Sequence, residues 1–357
     1  MIETKKMAPV RMSPLGIAVI VVFLLACVLY VHRKVSAGKS SVGTELKFEP
    51  DGGVPQTINM RELLSTAIVL AQRGGDRVRD VREGNTLDEK SKGKTLEGAN
   101  DPLTDGDLQS HRAMYHGFKK AFPNLKVISE EHEAQDIWDP NEVQMPDKEL
   151  PEVFKTIPAD EYIPVEDIAV WIDPLDATQE YTENLLQYVT TMVCVAVKGE
   201  PTIGVIHKPF EHKTAWAWVN KGSSGYDLPP RKSESEAKKI IVSRSHAGSV
   251  SDVVKKTFGE STEVIPAGGA GYKTWALFDQ IADAYVHVTL IKKWDICAGN
   301  ALLNHKNGIM TDLKGDRIDY SAASNPKNEH GLLATLSDHK TYLEALRPAY
   351  EALSKGK

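Results

Sequence analysis

Cysteine is scarce in this chain: Cys27, Cys194 and Cys297 are the only three among 357 residues. There is no paired-cysteine ligand motif and no His-Glu-x-x-His, so zinc is a poor candidate for any metal chemistry. Cys27 falls in an apolar N-terminal run, and the other two stand among hydrophobic neighbours. The sequence therefore predicts buried free thiols rather than a disulfide framework. A basic excess is also lacking. Lys and Arg number 43 against 49 Asp and Glu, for a net charge of −6, which argues against a general nucleic-acid binder that must release counterions. A local basic pocket for a small anion stays open. No Asn-x-Ser/Thr sequon occurs, so glycosylation offers no mark of lumenal exposure. No short-period repeat and no strongly low-complexity segment is visible. A content of 41% hydrophobic and 26% charged residues fits one large or two modest globular domains.

Residues 15–31 carry no charge and are flanked by Lys5, Lys6 and Arg11 before and by His32, Arg33 and Lys34 after. Their length is at the short end of what spans a bilayer. A cleaved signal peptide is the rival, with Val35-Ser36-Ala37 as its cleavage site. The run exceeds the usual apolar core of about 7–15 residues, and basic residues follow it at once, so an uncleaved signal anchor is predicted. Flanking charge does not fix its orientation, because both sides are basic. The chain then divides into a tail (1–14), a transmembrane anchor (15–31), a Gly-, Ser- and Pro-rich stem (32–57), and two halves of one folded region, 58–235 and 236–357.

In the first half, Leu63, Leu64, Ala67, Ile68 and Ala71 recur at helical spacing behind a capping Asn59. A second helix is predicted over 105–121 and a short strand over 126–129. Residues 134–166 hold five prolines and predict a surface insertion. A strand over 168–172 runs into Asp173-Pro174, where proline is expected to turn the chain. Three runs, 188–197, 202–207 and 214–219, predict an antiparallel meander. The second half predicts strands at 239–243 and 284–288 and helices at 249–258, 272–281, 295–306 and 338–354. Two blocks of mixed strands and helices indicate a layered α/β or α+β sandwich.

Acidic residues sit where strands or loops meet helices: Asp107, Glu130 with Glu131, Asp173 with Asp176, and Asp295 after Trp294. Any one of them alone reads as a helix N-cap. Together, an oxygen-only set is what Mg²⁺ prefers, and two ions bridged by a carboxylate can clamp a phosphate ester. The amides after Thr178 suit a phosphate.

Glu130-Glu131, Asp173-Pro174-Leu175-Asp176-Ala177-Thr178 and Trp294-Asp295-Ile296-Cys297-Ala298-Gly299 resemble three motifs of the lithium-sensitive, magnesium-dependent phosphatase family that includes inositol monophosphatase. The resemblance covers roughly residues 58–350 and implies the five-layered α-β-α-β-α sandwich of the inositol monophosphatase/fructose bisphosphatase type. It implies that Glu130, Asp173, the Leu175 carbonyl, Asp176 and Asp295 bind two or three Mg²⁺ ions. It further implies that Asp107 and Thr178 orient or deprotonate the attacking water, with direct in-line hydrolysis and no phosphoenzyme. Ala177 departs from the family's usual glycine; a positive φ there is disfavoured for alanine, and the turn is expected to tolerate it.

Two further segments point to the ester. Ser243-Arg244-Ser245-His246-Ala247-Gly248-Ser249 follows a strand, and Gly268-Gly269-Ala270-Gly271-Tyr272-Lys273 precedes a helix without being a Walker loop. Singly, they read as a simple turn, a hydrogen-bonded histidine and a solvated lysine. As a pair they resemble the bisphosphate 3′-nucleotidase branch, which implies that His246, Ser249, Gly269 and Lys273, together with Thr178, contact a nucleotide. With the anchor, that branch implies a type II Golgi membrane protein whose lumenal domain removes the 3′-phosphate of adenosine 3′,5′-bisphosphate, a sulfotransferase by-product. Family members often form homodimers, but nothing in this chain marks an interface. The rivals are an inositol or other sugar phosphatase on the same scaffold and a membrane-anchored, non-catalytic binding module.

Overall fold

The computed structural model describes residues 56–94, 100–132, 143–225, 238–244 and 250–354. The segments predicted as tail, anchor and nearly all of the stem lie outside them, as do His246 and Ser249. Among the described residues no helix is long and apolar enough to cross a membrane.

Strand β1 (Thr57–Asn59) leads into helix α1 (Met60–Glu83), which begins where the Asn59 side chain accepts the N–H of Arg61 at 3.0 Å. The predicted apolar face, including Leu63, Leu64, Ala67, Ile68 and Ala71, is buried. A hairpin follows, β2 (Lys90–Lys94) and β3 (Asn100–Leu103). The helix predicted over 105–121 is present in three pieces: α2 (Asp105–His111), a π-helical turn (Arg112–His116) and α3 (Gly117–Ala121). Strand β4 is Lys126–Ser129.

The later part of the proline-rich stretch holds regular structure, which its prolines were expected to obstruct. Helix α4 (Pro151–Thr156) carries Pro151 in its first turn, where a missing N–H costs nothing. Strand β5 (Tyr162–Pro164) pairs with β1 in a two-stranded ribbon, where Pro164 stands opposite Thr57. Val153 and Ile157 join the buried core against α1. Prolines at a helix start and in a short edge ribbon are compatible with regular structure.

Strand β6 (Ile168–Asp176) is followed by α5 (Thr178–Thr182), β7 (Thr190–Val197), β8 (Glu200–Lys208), β9 (Lys213–Trp218) and β10 (Gly222–Ser223). They form a six-stranded sheet in the order β10-β9-β8-β7-β6-β4, with the predicted antiparallel meander and a parallel β4–β6 pair. Pro174 does not end β6. Asp173 faces Met192 and Asp176 faces Thr190, so β6 holds one extra residue in a bulge, where proline needs no ladder bond.

The second half contributes β11 (Lys239–Ser243), α6 (Val250–Phe258), β12 (Glu263–Ala267), α7 (Ala270–Phe278), β13 (Ala284–His287), β14 (Ile291–Lys292) and α8 (Lys293–His305). It ends with β15 (Ile309–Thr311), β16 (Lys327–Asn328), β17 (Leu332–Thr335) and α9 (His339–Ser354). The five-stranded sheet runs β12-β11-β13-β17-β15, with β11 parallel to β12 and β13. Strand β17 is antiparallel to both of its neighbours.

Three apolar cores define the layers. One joins α1 to the first sheet through Leu64, Ile68, Val193 and Val205. A second packs α7 and α8 between the sheets, with Trp171 and Met192 on one side and Ile241 and Tyr285 on the other. A third covers the far face of the second sheet with α6 and α9, through Val254, Tyr342 and Leu346. The order is helix, sheet, helix, sheet, helix, as the resemblance implied.

The free-thiol expectation is overturned. Cys194 of β7 and Cys297 of α8 form a disulfide across a Cα–Cα distance of 5.6 Å. Both are buried, as their neighbours predict. What their local sequence does not carry is that α8 lies across β7, which makes residues 103 apart in sequence adjacent in space.

Candidate active site

Strands β4 and β6 run parallel with Ser129 opposite Ile172, so the next residues, Glu130 and Asp173, emerge side by side at the same end of the sheet. Asp295 arrives from the first turn of α8, where its Oδ2 accepts the backbone N–H of Lys292 at 3.1 Å. One carboxylate oxygen from each of Glu130, Asp173 and Asp295 lies within 4.8 Å of the others. Burial raises Asp173 and Asp295 well above the ordinary aspartate range, and the neighbouring charge of Glu130 adds to both. A cation among these oxygens offsets that repulsion. The donors are carboxylates alone, the set a hard divalent cation takes.

Asp176 occupies a different position. Its Oδ1 accepts the N–H of Ala270 at 2.9 Å, while its Oδ2 accepts the N–H of Gly271 at 2.8 Å and the Thr190 hydroxyl at 2.9 Å. Its carboxylate thus receives the start of α7. Burial raises its pKa, against the Lys273 charge and these hydrogen bonds. It lines the same cleft as Glu130, Asp173 and Asp295 without joining their close cluster. Immediately after Asp176, Ala177 adopts φ 72° and ψ 44°, so the left-handed turn tolerates alanine, at a cost of about 1 kcal/mol.

Asp107 is buried in a capping box. Its Oδ2 accepts the backbone N–H of Thr104 at 2.7 Å and the Thr104 hydroxyl at 2.6 Å. Burial pushes its pKa up to about 7, against the Thr104 bonds. The Thr178 hydroxyl lies 3.0 Å from Asp107 Oδ1 and 3.1 Å from the Leu175 carbonyl oxygen, sharing one proton between two acceptors. A titratable carboxylate, a hydroxyl and a backbone oxygen therefore meet at one point beside the acidic cluster.

Lys273 is not a solvated charge. It is buried, and its ammonium donates to the Gly269 carbonyl at 2.5 Å, with the Ala267 carbonyl at 3.5 Å. Burial lowers its pKa, against the charge of Asp176. Gly269 has φ 61°, and a Cβ there would stand 2.6 Å from the Tyr188 carbonyl oxygen and 2.9 Å from Asp176 Oδ2. Its glycine is required by close approach as well as by backbone conformation.

Several contributors were not apparent from sequence. Lys92 reaches from the β2–β3 hairpin to Glu130 at 2.9 Å and Glu131 at 2.7 Å. Arg244 joins the two halves by pairing with Glu180 and Glu183 of the α5 region. Thr190 braces Asp176. Only Thr104 had a local signature, a threonine three residues before an acidic residue at a helix start. All of this surrounds a cleft of about 750 Å³ that extends from Glu130 and Asp173 past Thr178 to Arg244 on one side and Lys327 on another.

Known proteins resemble the chain at two levels, in sequence and in fold. A golgi-resident adenosine 3′,5′-bisphosphate 3′-phosphatase of Rattus norvegicus is 50% identical over 347 residues, covering 92% of this chain and 95% of the relative. The human protein of that name is 48% identical over 349 residues, covering 92% of this chain and 94% of its own. A Danio rerio protein named inositol monophosphatase 3 is 48% identical over 356 residues, covering 97% of this chain and 99% of the relative. Among solved structures, an IMPase of Thermotoga maritima matches with a TM-score of 0.59 at 18% identity, covering 82% of this chain and 99% of that one. CysQ of Bacteroides thetaiotaomicron matches with a TM-score of 0.54 at 19% identity, over 78% of this chain and 98% of that one; at such identity both speak for the fold alone. The sequence model of the inositol monophosphatase family matches residues 59–343, the span that holds every carboxylate described above, and the chain belongs to that family.

Proposed function

We propose that the protein hydrolyses the 3′-phosphate of adenosine 3′,5′-bisphosphate, releasing adenosine 5′-monophosphate and inorganic phosphate. The observation that carries this reading is the shape of the site. The acidic cluster sits inside a cleft of about 750 Å³ that runs on to Ser243, Arg244, Gly269, Ala270 and Lys273, room for a nucleotide beyond the reacting phosphate. Relatives close to half identical bear that activity in their names. An inositol monophosphatase activity, the name borne by the Danio rerio relative, is the second reading.

Glu130, Asp173 and Asp295, with the Leu175 carbonyl and Asp176 beside them, would hold Mg²⁺ in two or three sites. When bound, such ions supply Lewis acidity and lower the pKa of water. The chain's own residues do the rest. Asp107, with its pKa near 7, takes a proton from the attacking water. Thr178, held between Asp107 and the Leu175 carbonyl, orients that water for in-line attack on phosphorus. The P–O3′ bond then breaks, and the 3′ oxygen leaves with a proton as the ribose hydroxyl. Arg244 and its glutamate partners hold the two walls of the cleft together, and Lys273 fixes the Gly269 turn through its carbonyl bond. Gly269, Lys273, His246 and Ser249 are the proposed nucleotide wall.

The buried Cys194–Cys297 disulfide suits an oxidising compartment. With the predicted anchor at 15–31, this supports a type II Golgi membrane protein whose catalytic domain faces the lumen. Product identity tests the reaction. Wild-type protein with Mg²⁺ should form the 5′-monophosphate, and Asp173→Ala should form none. Release of the 3′-monophosphate would refute the assignment.

A further inference from the structure

Two of the three clustered carboxylates come from segments that one covalent bond joins. In the first sheet Trp171 of β6 stands opposite Cys194 of β7, and Asp173 follows Trp171 by two residues. On α8, Asp295 precedes Cys297 by two residues. The Cys194–Cys297 bond therefore ties the sheet beside one acidic residue to the helix turn that carries the other. Both cysteines are buried in the core between the sheets, so the bond is a fixed part of the packing rather than a surface pair open to thiol exchange.

Apolar packing alone keys this part of α8 weakly. Cys194 faces Gly204 of β8, where a Cβ would run into the Ala298 carbonyl oxygen. The glycine lets α8 lie close on the sheet but offers no side chain to stop it turning or sliding. Trp171 packs against Trp294 with ring centres 6.5 Å apart, a contact whose apolar attraction has no direction. Against this, one oxygen each of Glu130, Asp173 and Asp295 lies within 4.8 Å of the others, and carboxylates so close repel until a cation joins them. That repulsion drives the start of α8 away from the end of β6. The disulfide opposes it two residues from Asp295.

We propose that the Cys194–Cys297 bond is a positioning brace of the metal centre, holding Asp295 in register with Asp173 and Glu130 so that the site is assembled before the cation arrives. The inference rests on the divalent-cation reading of the acidic cluster and adds to it a covalent support outside the ligand set. Ligating groups must be held to within about 0.5 Å of their working geometry. A group that orients a ligand commonly contributes about ten- to a hundredfold to metal affinity.

Mn²⁺ binding to the full chain, read from the electron paramagnetic resonance signal of the free ion, tests the brace without turnover. Cys194→Ala/Cys297→Ala should raise the apparent Kd about tenfold. Cys194→Val/Cys297→Ala refills the space without restoring the bond; it should show the same rise, and it carries the test should the alanine pair not fold. Leu346→Ala empties part of the core that α9 shares with the second sheet, which lowers stability away from α8 and should leave the Kd near that of wild type. An unchanged Kd in the cysteine variants would overturn the brace. An equal loss in Leu346→Ala would overturn it too, by making the effect one of general stability, and recovery in the valine variant would assign the effect to packing rather than to the bond. Wild-type protein that binds no Mn²⁺ would instead refute the divalent-cation reading, and the brace with it.

Discussion

Asp176 accepts the backbone N–H of Ala270 at 2.9 Å, so the last residue of β6 receives the first residue of α7. The same carboxylate takes Gly271 and Thr190, and through it the first half of the fold grips the second. Asp176→Asn leaves one oxygen where two were used and turns an amide donor toward backbone donors. We expect a loss of roughly 1–3 kcal/mol of stability, read as a lower denaturant midpoint, together with a larger loss of turnover than of folded protein at 25 °C. A variant of wild-type stability and activity would contradict this joint.

Asp107, the proposed base, should give the reaction a pH signature. Its pKa is pushed up to about 7, and a base must be ionised to act, so kcat/KM should rise as pH increases through that region. Asp107→Asn should lower kcat by about 10²–10⁴. Thr104→Val removes a hydrogen bond that favours the ionised form, which should move the acidic limb to higher pH. A limb unmoved in Thr104→Val would assign it to another group.

His207 should govern part of the acid stability. Burial lowers its pKa from 6.5 to about 4, with its ring Nδ1 2.9 Å from the Thr214 hydroxyl. A depressed imidazole contributes stability that is present above the unfolded value of 6.5 and lost as pH falls toward 4. Chemical denaturation at stepped pH should therefore show a decline across that window, and His207→Asn should flatten it. A slope identical to wild type would exclude His207 as the source.

The Cys194–Cys297 bridge closes a sequence separation of 103 residues. Loop-closure entropy on that scale is on the order of 4 kcal/mol. The pair is buried, so mild reductant should leave the folded protein oxidised, while reductant added with denaturant should lower the midpoint. Cys194→Ala/Cys297→Ala should reproduce the lower midpoint without reductant. Equal midpoints in all three conditions would mean that the bridge adds nothing.

Local patterns made much of this legible. The spacing of Leu63, Leu64, Ala67, Ile68 and Ala71 marks α1, and the alternation of runs and turns marks the meander of β7, β8 and β9. The motif carboxylates Glu130, Asp173 and Asp295 do converge. Contacts made by distant segments were not legible. Strand β12 contains Pro266 and lies at the sheet edge, so its pattern is weak. Strands β15, β16 and β17 are two to four residues long, too short for a period to show. Pro174 signals a turn in sequence, but the ladder to β7 accommodates it as a bulge. Lys273 reads as a surface charge until the Gly269 carbonyl folds over its ammonium. Nothing beside Cys194 or Cys297 announces the other, because the pairing depends on where α8 lies.

The central claim is tested most directly by phosphate release from adenosine 3′,5′-bisphosphate and from inositol 1-phosphate, by the same full-chain preparation in Mg²⁺, with and without Li⁺. The account predicts lithium-sensitive turnover with a higher kcat/KM for the nucleotide, absent in Asp173→Ala. A higher kcat/KM for the inositol ester would keep the acidic centre and contradict the nucleotide assignment.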